Sequence, residues 1–268
     1  MMSAAATFAR NAVYAAQGVR IPFALCYHGV GTAAHADPHG LMVPRELFEQ
    51  HLDVLAERRY DVLTVQALWN RVRSHGDVDG AGAITFDDGL ADTLDLVAPI
   101  LHSRGLTATV CIATGLLGKV HPDLPDGARI VDETQVKELA QAGCEIASHT
   151  VDHPDLTTLD YQDALDQMRR SKAMLEDLIG RPVLTLAYPF GRYTRATMAA
   201  AREAGYECAC AAAPVPWEAY SIPRNVVYPG TSPMRLRLQL SGLYGPAYGL
   251  STARGKLRRA RRAVRGDR

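Results

Sequence analysis

The sequence predicts an α/β fold: a distorted (β/α)7-type barrel of parallel strands in a single domain. Three observations predict it. Short apolar runs alternate with amphipathic helical stretches through residues 21–227, the pattern of a parallel sheet covered by helices. About seven such units in roughly 220 residues favour a closed or nearly closed barrel over an open sheet. Polar clusters directly follow four of the apolar runs, at His28, Asp87-Asp88, His149 and Tyr188-Pro189. A barrel brings such strand ends to one mouth.

The elements follow in order. Phe23 to Tyr27 is an apolar strand ending at His28-Gly29. Residues 44–58 place Leu47, Leu52 and Leu55 on one helical face, Tyr60 to Thr64 is a strand, and a helix runs through Leu68 and Val72. Ala83 to Phe86 is a strand that enters Asp87-Asp88-Gly89 and then a helix over 91–103. Thr107 to Ala113 is a strand, 133–142 a helix closed by Gly143, and Cys144 to Ser148 a strand ending on His149. Residues 159–179 repeat Ala164, Leu165, Met168, Leu175 and Leu178 at helical spacing and stop at Gly180. A strand over Val183 to Ala187, a helix over 194–204, a strand over 206–212 and a last strand over Ser221 to Val227 complete the set. The domain is therefore expected over 21–230, with an N-terminal extension before it and a tail over 231–268.

The 268 residues carry 29 basic and 29 acidic side chains, but the balance is uneven. Residues 251–268 hold eight basic groups and one acid, which leaves 21 basic against 28 acidic in 1–250. A basic tail on an acidic body suits an anionic lipid surface or polymer; nucleic acid is the least favoured partner. Cys26, Cys111, Cys144, Cys208 and Cys210 are odd in number, sit in apolar runs and lack metal-ribbon spacing. They read as buried thiols in a reducing compartment. Arg10 and Asn11 interrupt the apolar N-terminus, so no cleaved signal is expected. The expected location is cytoplasmic, peripheral to the inner membrane face.

Two carboxylates stand side by side in Ile84-Thr85-Phe86-Asp87-Asp88-Gly89. Adjacent acids repel, so their environments must separate their pKa values. A metal does this by binding one and leaving the other as a base. Ser148-His149-Thr150-Val151-Asp152-His153-Pro154 adds two histidines four residues apart in a segment that Pro154 prevents from continuing as a helix. With Asp88 they make an Asp-His-His set, the pattern of a catalytic cation with open positions. His35, His39, His51, His75, His102 and His121 read as solvated.

TFDDG, SHTxxH and a later YPFG, in that order, resemble the NodB-homology polysaccharide deacetylases, carbohydrate esterase family four. The spellings at 26–29 and 187–191 are most similar to the exopolysaccharide-modifying branch. The resemblance implies a metal-dependent hydrolase that removes N-acetyl groups from a sugar or polysaccharide. Asp87 would be its base, and Asp88, His149 and His153 would bind Zn2+, with Co2+ or Ni2+ as alternatives. The segment at Tyr188 would lend a backbone N–H to the oxyanion. Where the family usually has an Arg, this chain has Ala187; Arg224 is the expected replacement. The usual later histidine is also missing, and His28 is expected to act as general acid. Tyr27, Tyr188, Phe190, Tyr193 and Trp217 are the candidate sugar-stacking rings. A deformylase, an O-acetyl esterase and a catalytically silent carbohydrate-binding protein remain open alternatives.

Overall fold

The computed structural model describes residues 20–31, 37, 39–74, 76–122, 128–212 and 217–241. Strand β1 (Phe23–Tyr27) comes first, and a small pair, β2 (Gly29–Val30) and β3 (Met42–Val43), lies beyond its end. Helix α1 (Arg45–Glu57), β4 (Asp61–Leu63), α2 (Val65–Arg73) and β5 (Ala81–Phe86) follow. The helix expected over 91–103 opens instead as a π-helical turn, Thr93–Val97, and tightens into α3 (Ala98–Ser103). Strict alternation then runs through β6 (Thr109–Ile112), α4 (Glu133–Gln141), β7 (Glu145–Ser148), α5 (Tyr161–Ile179), β8 (Thr185–Ala187), α6 (Arg195–Glu203) and β9 (Cys208–Ala211). Two short strands, β10 (Ile222–Pro223) and β11 (Asn225–Val226), flank Arg224, and α7 (Pro233–Leu240) is the last described element.

The main sheet is parallel throughout, in the order β10-β9-β8-β7-β6-β5-β1-β11. The strand expected over Ser221 to Val227 is split, and the split closes the barrel. Its first half pairs with β9 and its second half with β1. The distortion lies at β5. One edge of β5 pairs with β1 over Gly82–Phe86, and the other is shared between β4 at Ala81–Ala83 and β6 at Thr85–Phe86.

Side chains on a strand alternate between faces, and the alternation here separates large residues from small ones. Phe23, Leu25, Tyr27, Ile84, Phe86, Val110, Ile112, Ile146 and Leu186 are buried among the covering helices. Ala24, Ala81, Ala83, Cys111, Ala147, Ala187, Cys208 and Cys210 pack together inside the barrel with Val65, Leu68 and Ile222. A small barrel has room for little more than such residues. A substitution such as Ala83→Leu would therefore overpack it, at a cost of about 1–3 kcal/mol. All five cysteines are buried free thiols, as expected.

Helix α2 plugs the end of the barrel opposite the mouth. Its first N–H groups are met by Thr109 Oγ1 (2.9 Å from Val65 N) and the Glu145 carboxylate (3.1 Å from Gln66 N). These are acceptors where a helix start leaves its donors unpaired. The longest helix, α5, is stopped by Gly180 at φ 65°, a left-handed cap that glycine adopts without strain. Helix α7 lies beyond the expected domain boundary at 230, yet Leu236 and Leu240 are buried against the α1 side of the core. The rest of the expected tail and the extension over 1–19 lie outside the described residues. Among the described residues no helix is long and apolar enough to cross a membrane.

Candidate functional site

Strand parity delivers the first site residues. Ala81, Ala83 and Thr85 face the barrel interior, so Asp87 continues that face to the mouth; on β7, Ala147 hands the same face to His149. Asp88 should by parity point the other way, but its backbone is left-handed at φ 69°. That turn brings the second carboxylate back to the mouth. Thr150 (φ 69°), His153 (φ 54°) and Phe190 (φ 57°) are left-handed too, so four of the five described non-glycine residues with positive φ belong to this site. Such conformations cost about 1–3 kcal/mol each and persist where surrounding contacts impose them.

Asp87 and Asp88 are both 4% exposed, yet they meet different neighbours. Asp87 is gripped by Arg224 in a two-pronged contact, Nη1 to Oδ1 at 2.6 Å and Nη2 to Oδ2 at 2.8 Å. Arg224 also donates to Thr85 Oγ1 at 3.0 Å, and the Cys26 thiol lies 3.4 Å from Asp87 Oδ2. Burial pushes the Asp87 carboxyl up, but the Arg224 charge and the neighbouring His149 and His28 outweigh it and hold the acid well below the usual carboxylate range. Arg224 is itself buried, and it is the arginine that the last strands bring onto Asp87.

Asp88 faces the histidines. Its Oδ1 is 3.6 Å from His149 Nε2 and 3.5 Å from His153 Nε2, and its Oδ2 is 3.2 Å from His121 Nε2. Burial raises the Asp88 carboxyl, but the His121 contact and the charges of His28, His149 and His153 bring it down to about 2. His149 Nδ1 lies 2.8 Å from the Ala187 carbonyl. That contact puts the ring proton on Nδ1 and leaves the Nε2 lone pair facing Asp88. Burial and His149 lower the His153 pKa to about 4, so its imidazole is neutral near pH 7 and able to ligate. Ligands at about 2.1 Å from a tetrahedral cation are about 3.4 Å apart, close to the separations found here. The three residues offer donor atoms within 4.8 Å of one another, and the donor set fits a divalent cation.

The loop that presents the histidines is clamped from α5. Gln167 Oε1 accepts from the Val151 and Asp152 N–H groups at 3.1 and 3.0 Å, and its amide donates to Asp152 at 2.8 Å. No sequence pattern marks Gln167, because it reads as one more polar residue on the outer face of a long helix.

His28 lies at the same mouth. It forms a second group with Cys26 and Asp87, whose donor atoms are within 4.8 Å of one another, and its buried Nδ1 has no hydrogen-bond partner. Burial raises the Cys26 thiol well above its ordinary value, which favours its protonated form. Two expected sugar-stacking rings are instead core. Tyr27 packs against Phe48 and Phe86 and bonds His51 at 3.0 Å, while Tyr188 donates to the Tyr220 carbonyl at 3.2 Å. Strand parity turns Tyr27 outward beneath α1. The Tyr188 N–H is also committed, to the Cys210 carbonyl at 3.1 Å. Phe190 is the ring that is exposed, at 55%, standing 4.8 Å from His153 with Arg192 over it. Tyr193 and Trp217 are half-buried.

Two histidines expected in solvent are buried. His51, on the buried face of α1, bridges Tyr27 and the Thr231 carbonyl, and His121 stands against Asp88. Neither follows a strand end, so no local pattern marks them. His39 and His102 are exposed, and His35 and His75 lie outside the described residues.

A family model described as polysaccharide deacetylase matches residues 77–209. The chain is similar to the putative polysaccharide deacetylase YxkH of Bacillus subtilis (strain 168), with 31% identity over 184 residues; the match covers 68% of this chain and 61% of YxkH. The chain thus spans less than two thirds of that relative. The fold resembles the Streptococcus pyogenes deacetylase PplD in complex with acetate, at TM-score 0.70 and 26% identity over 83% of this chain and 98% of that one. IcaB from Ammonifex degensii shares the fold at TM-score 0.70 and 21% identity, over 84% of this chain and 97% of that one.

Proposed function

From the match of residues 77–209 to the polysaccharide deacetylase family, we propose that this chain is a metal-dependent hydrolase removing N-acetyl groups from an N-acetylated sugar or polysaccharide, with release of acetate. One observation carries the reading. Asp88, His149 and His153 bring three donor atoms within 4.8 Å of one another, beside a second carboxylate gripped by an arginine.

Asp88, His149 and His153 would hold the cation. Two imidazoles and a carboxylate suit Zn2+, with Co2+ or Ni2+ accepted by the same set. When bound, the cation supplies a Lewis acid that polarises the acyl oxygen and acidifies water.

The chain's own residues supply the rest. Asp87 takes the proton of the attacking water as general base. Arg224 keeps Asp87 ionised and fixes the plane of its carboxylate. The accompanying loss of basicity is tolerable only where the water is itself acidified. Phe190 is the next residue after Tyr188 with an N–H, since Pro189 has none, and that donor would face the oxyanion. His28 would protonate the departing amine. The exposed Phe190 ring beside His153 offers a stacking face for a sugar.

The test uses the full chain loaded with Zn2+ or Co2+ and a panel of N-acetylated oligosaccharides. Stoichiometric metal and acetate release are expected. Formate release, or acetate from O-acetyl esters alone, would redirect the reading to the deformylase or esterase alternative. Sugar binding without turnover by metal-loaded protein would leave a carbohydrate-binding protein.

A further inference from the structure

We propose that His121 is a positioning residue for Asp88: it occupies one carboxylate oxygen so that only the other is presented to the cation. This rests on the reading of Asp88, His149 and His153 as a metal set. The two oxygens of Asp88 face different partners. Oδ1 is the one near His149 and His153, at 3.6 and 3.5 Å, whereas Oδ2 is 3.2 Å from His121 Nε2. His121 is 5% exposed, so water does not compete freely for that contact.

The frame around His121 is built for a fixed position. Its N–H donates to the Ala128 carbonyl at 2.8 Å, and Ile130 N–H donates to Lys119 at 2.9 Å. The same strip is tied to the turn that carries Asp88. Ala91 N–H donates to Arg129 at 2.8 Å, and Val131 N–H donates to Gly89 at 2.9 Å. Histidine and carboxylate are thereby mounted on two segments laced together on either side of the contact. A freely hinged loop would not hold a ring nitrogen against one chosen oxygen.

The chemical consequence is a one-oxygen ligand. With Nε2–H donating to Oδ2, Asp88 would offer Oδ1 alone to a cation, leaving room beside it for water and substrate. A neutral imidazole suffices for this, so the role needs no change in protonation.

The experiment measures metal binding, not turnover. Metal-free full-length protein is titrated with Zn2+ against a chromophoric chelator, and with Co2+ while its visible spectrum is recorded. His121→Ala and His121→Leu, the second filling the volume without a donor, are expected to weaken Zn2+ binding about 10–100-fold, the usual effect of losing a partner of a ligand. Both should alter the Co2+ spectrum. His121→Gln, whose amide N–H can reach the same oxygen, should restore most of the affinity. Should Ala weaken the metal-free fold, the Leu and Gln pair, matched by their melting curves without metal, carries the comparison. Wild-type affinity and spectrum in His121→Leu would overturn the role. Loss of metal in His121→Gln as complete as in His121→Leu would also overturn it, by making His121 a ligand itself. A wild type that binds neither Zn2+ nor Co2+ would instead overturn the metal reading, and the proposal with it.

Discussion

At the scale of single residues, two neighbouring acids are given separate tasks by one backbone angle. Asp87 stays on the strand's inward face and meets Arg224, while Asp88 is turned by its left-handed φ toward three histidines. The roles proposed for them make opposite predictions. Asp88→Ala, His149→Ala and His153→Ala should each lose bound metal on dialysis. Asp87→Asn should keep it and lose turnover. Metal analysis beside acetate release reads both, and the reverse pattern would exchange the two acids. His28→Ala is expected to retain metal and fold while turnover falls roughly 10²–10⁴-fold, with loss of the alkaline limb of the pH–rate profile. An unchanged rate and profile would place the general acid elsewhere.

At the scale of elements, the segment that closes the barrel also delivers Arg224. Residues 222–223 bond β9 and residues 225–226 bond β1, so the arginine between them points down the seam onto Asp87. Removing it leaves a buried carboxylate without its partner. Arg224→Ala should therefore cost about 3–5 kcal/mol in denaturant unfolding at pH 7. Arg224→Lys should recover little of that, because one ammonium cannot reproduce a two-pronged contact. The sign with pH follows from Asp87, whose carboxyl is held below its unfolded value. The pair's contribution is fully present above about pH 4 and is lost as pH falls further. The stability gap between wild type and Arg224→Ala should thus narrow in acid. A gap independent of pH down to pH 2 would show that the arginine acts through packing alone.

At the scale of the whole molecule, a parallel barrel gathers residues from distant parts of the chain, from His28 to Arg224, at one mouth. Charge is segregated elsewhere. The eight basic side chains of residues 251–268 lie outside the described residues and follow a helix that exposes Met234 (74%) and Leu238 (43%). Such a polybasic segment predicts binding to anionic vesicles, about 1 kcal/mol per basic residue near the surface. Vesicle flotation of the full chain and of a chain ending at residue 250 measures it, and equal flotation of the two would end the idea.

Much of this was legible in the sequence, and the reason is periodicity. Alternation of period two within strands and three-to-four within helices marked each barrel unit, and the residues just past an apolar run had to stand at the mouth. That logic located Asp87, Asp88, His149 and His28, and the one-turn spacing to Pro154 added His153. It failed for Tyr27 and Tyr188, because an aromatic letter does not state which face of its strand it occupies. It also could not find His121 or Gln167, and Arg224 was expected at Asp87 only through the family resemblance. His121 sits 33 residues beyond Asp88 in a segment with no period of its own, and Gln167 looks like any solvated residue of an amphipathic helix. Local patterns determine which elements form and which residues end them. Contacts between residues far apart in the chain are set by how the barrel closes, and only the tertiary structure decides those.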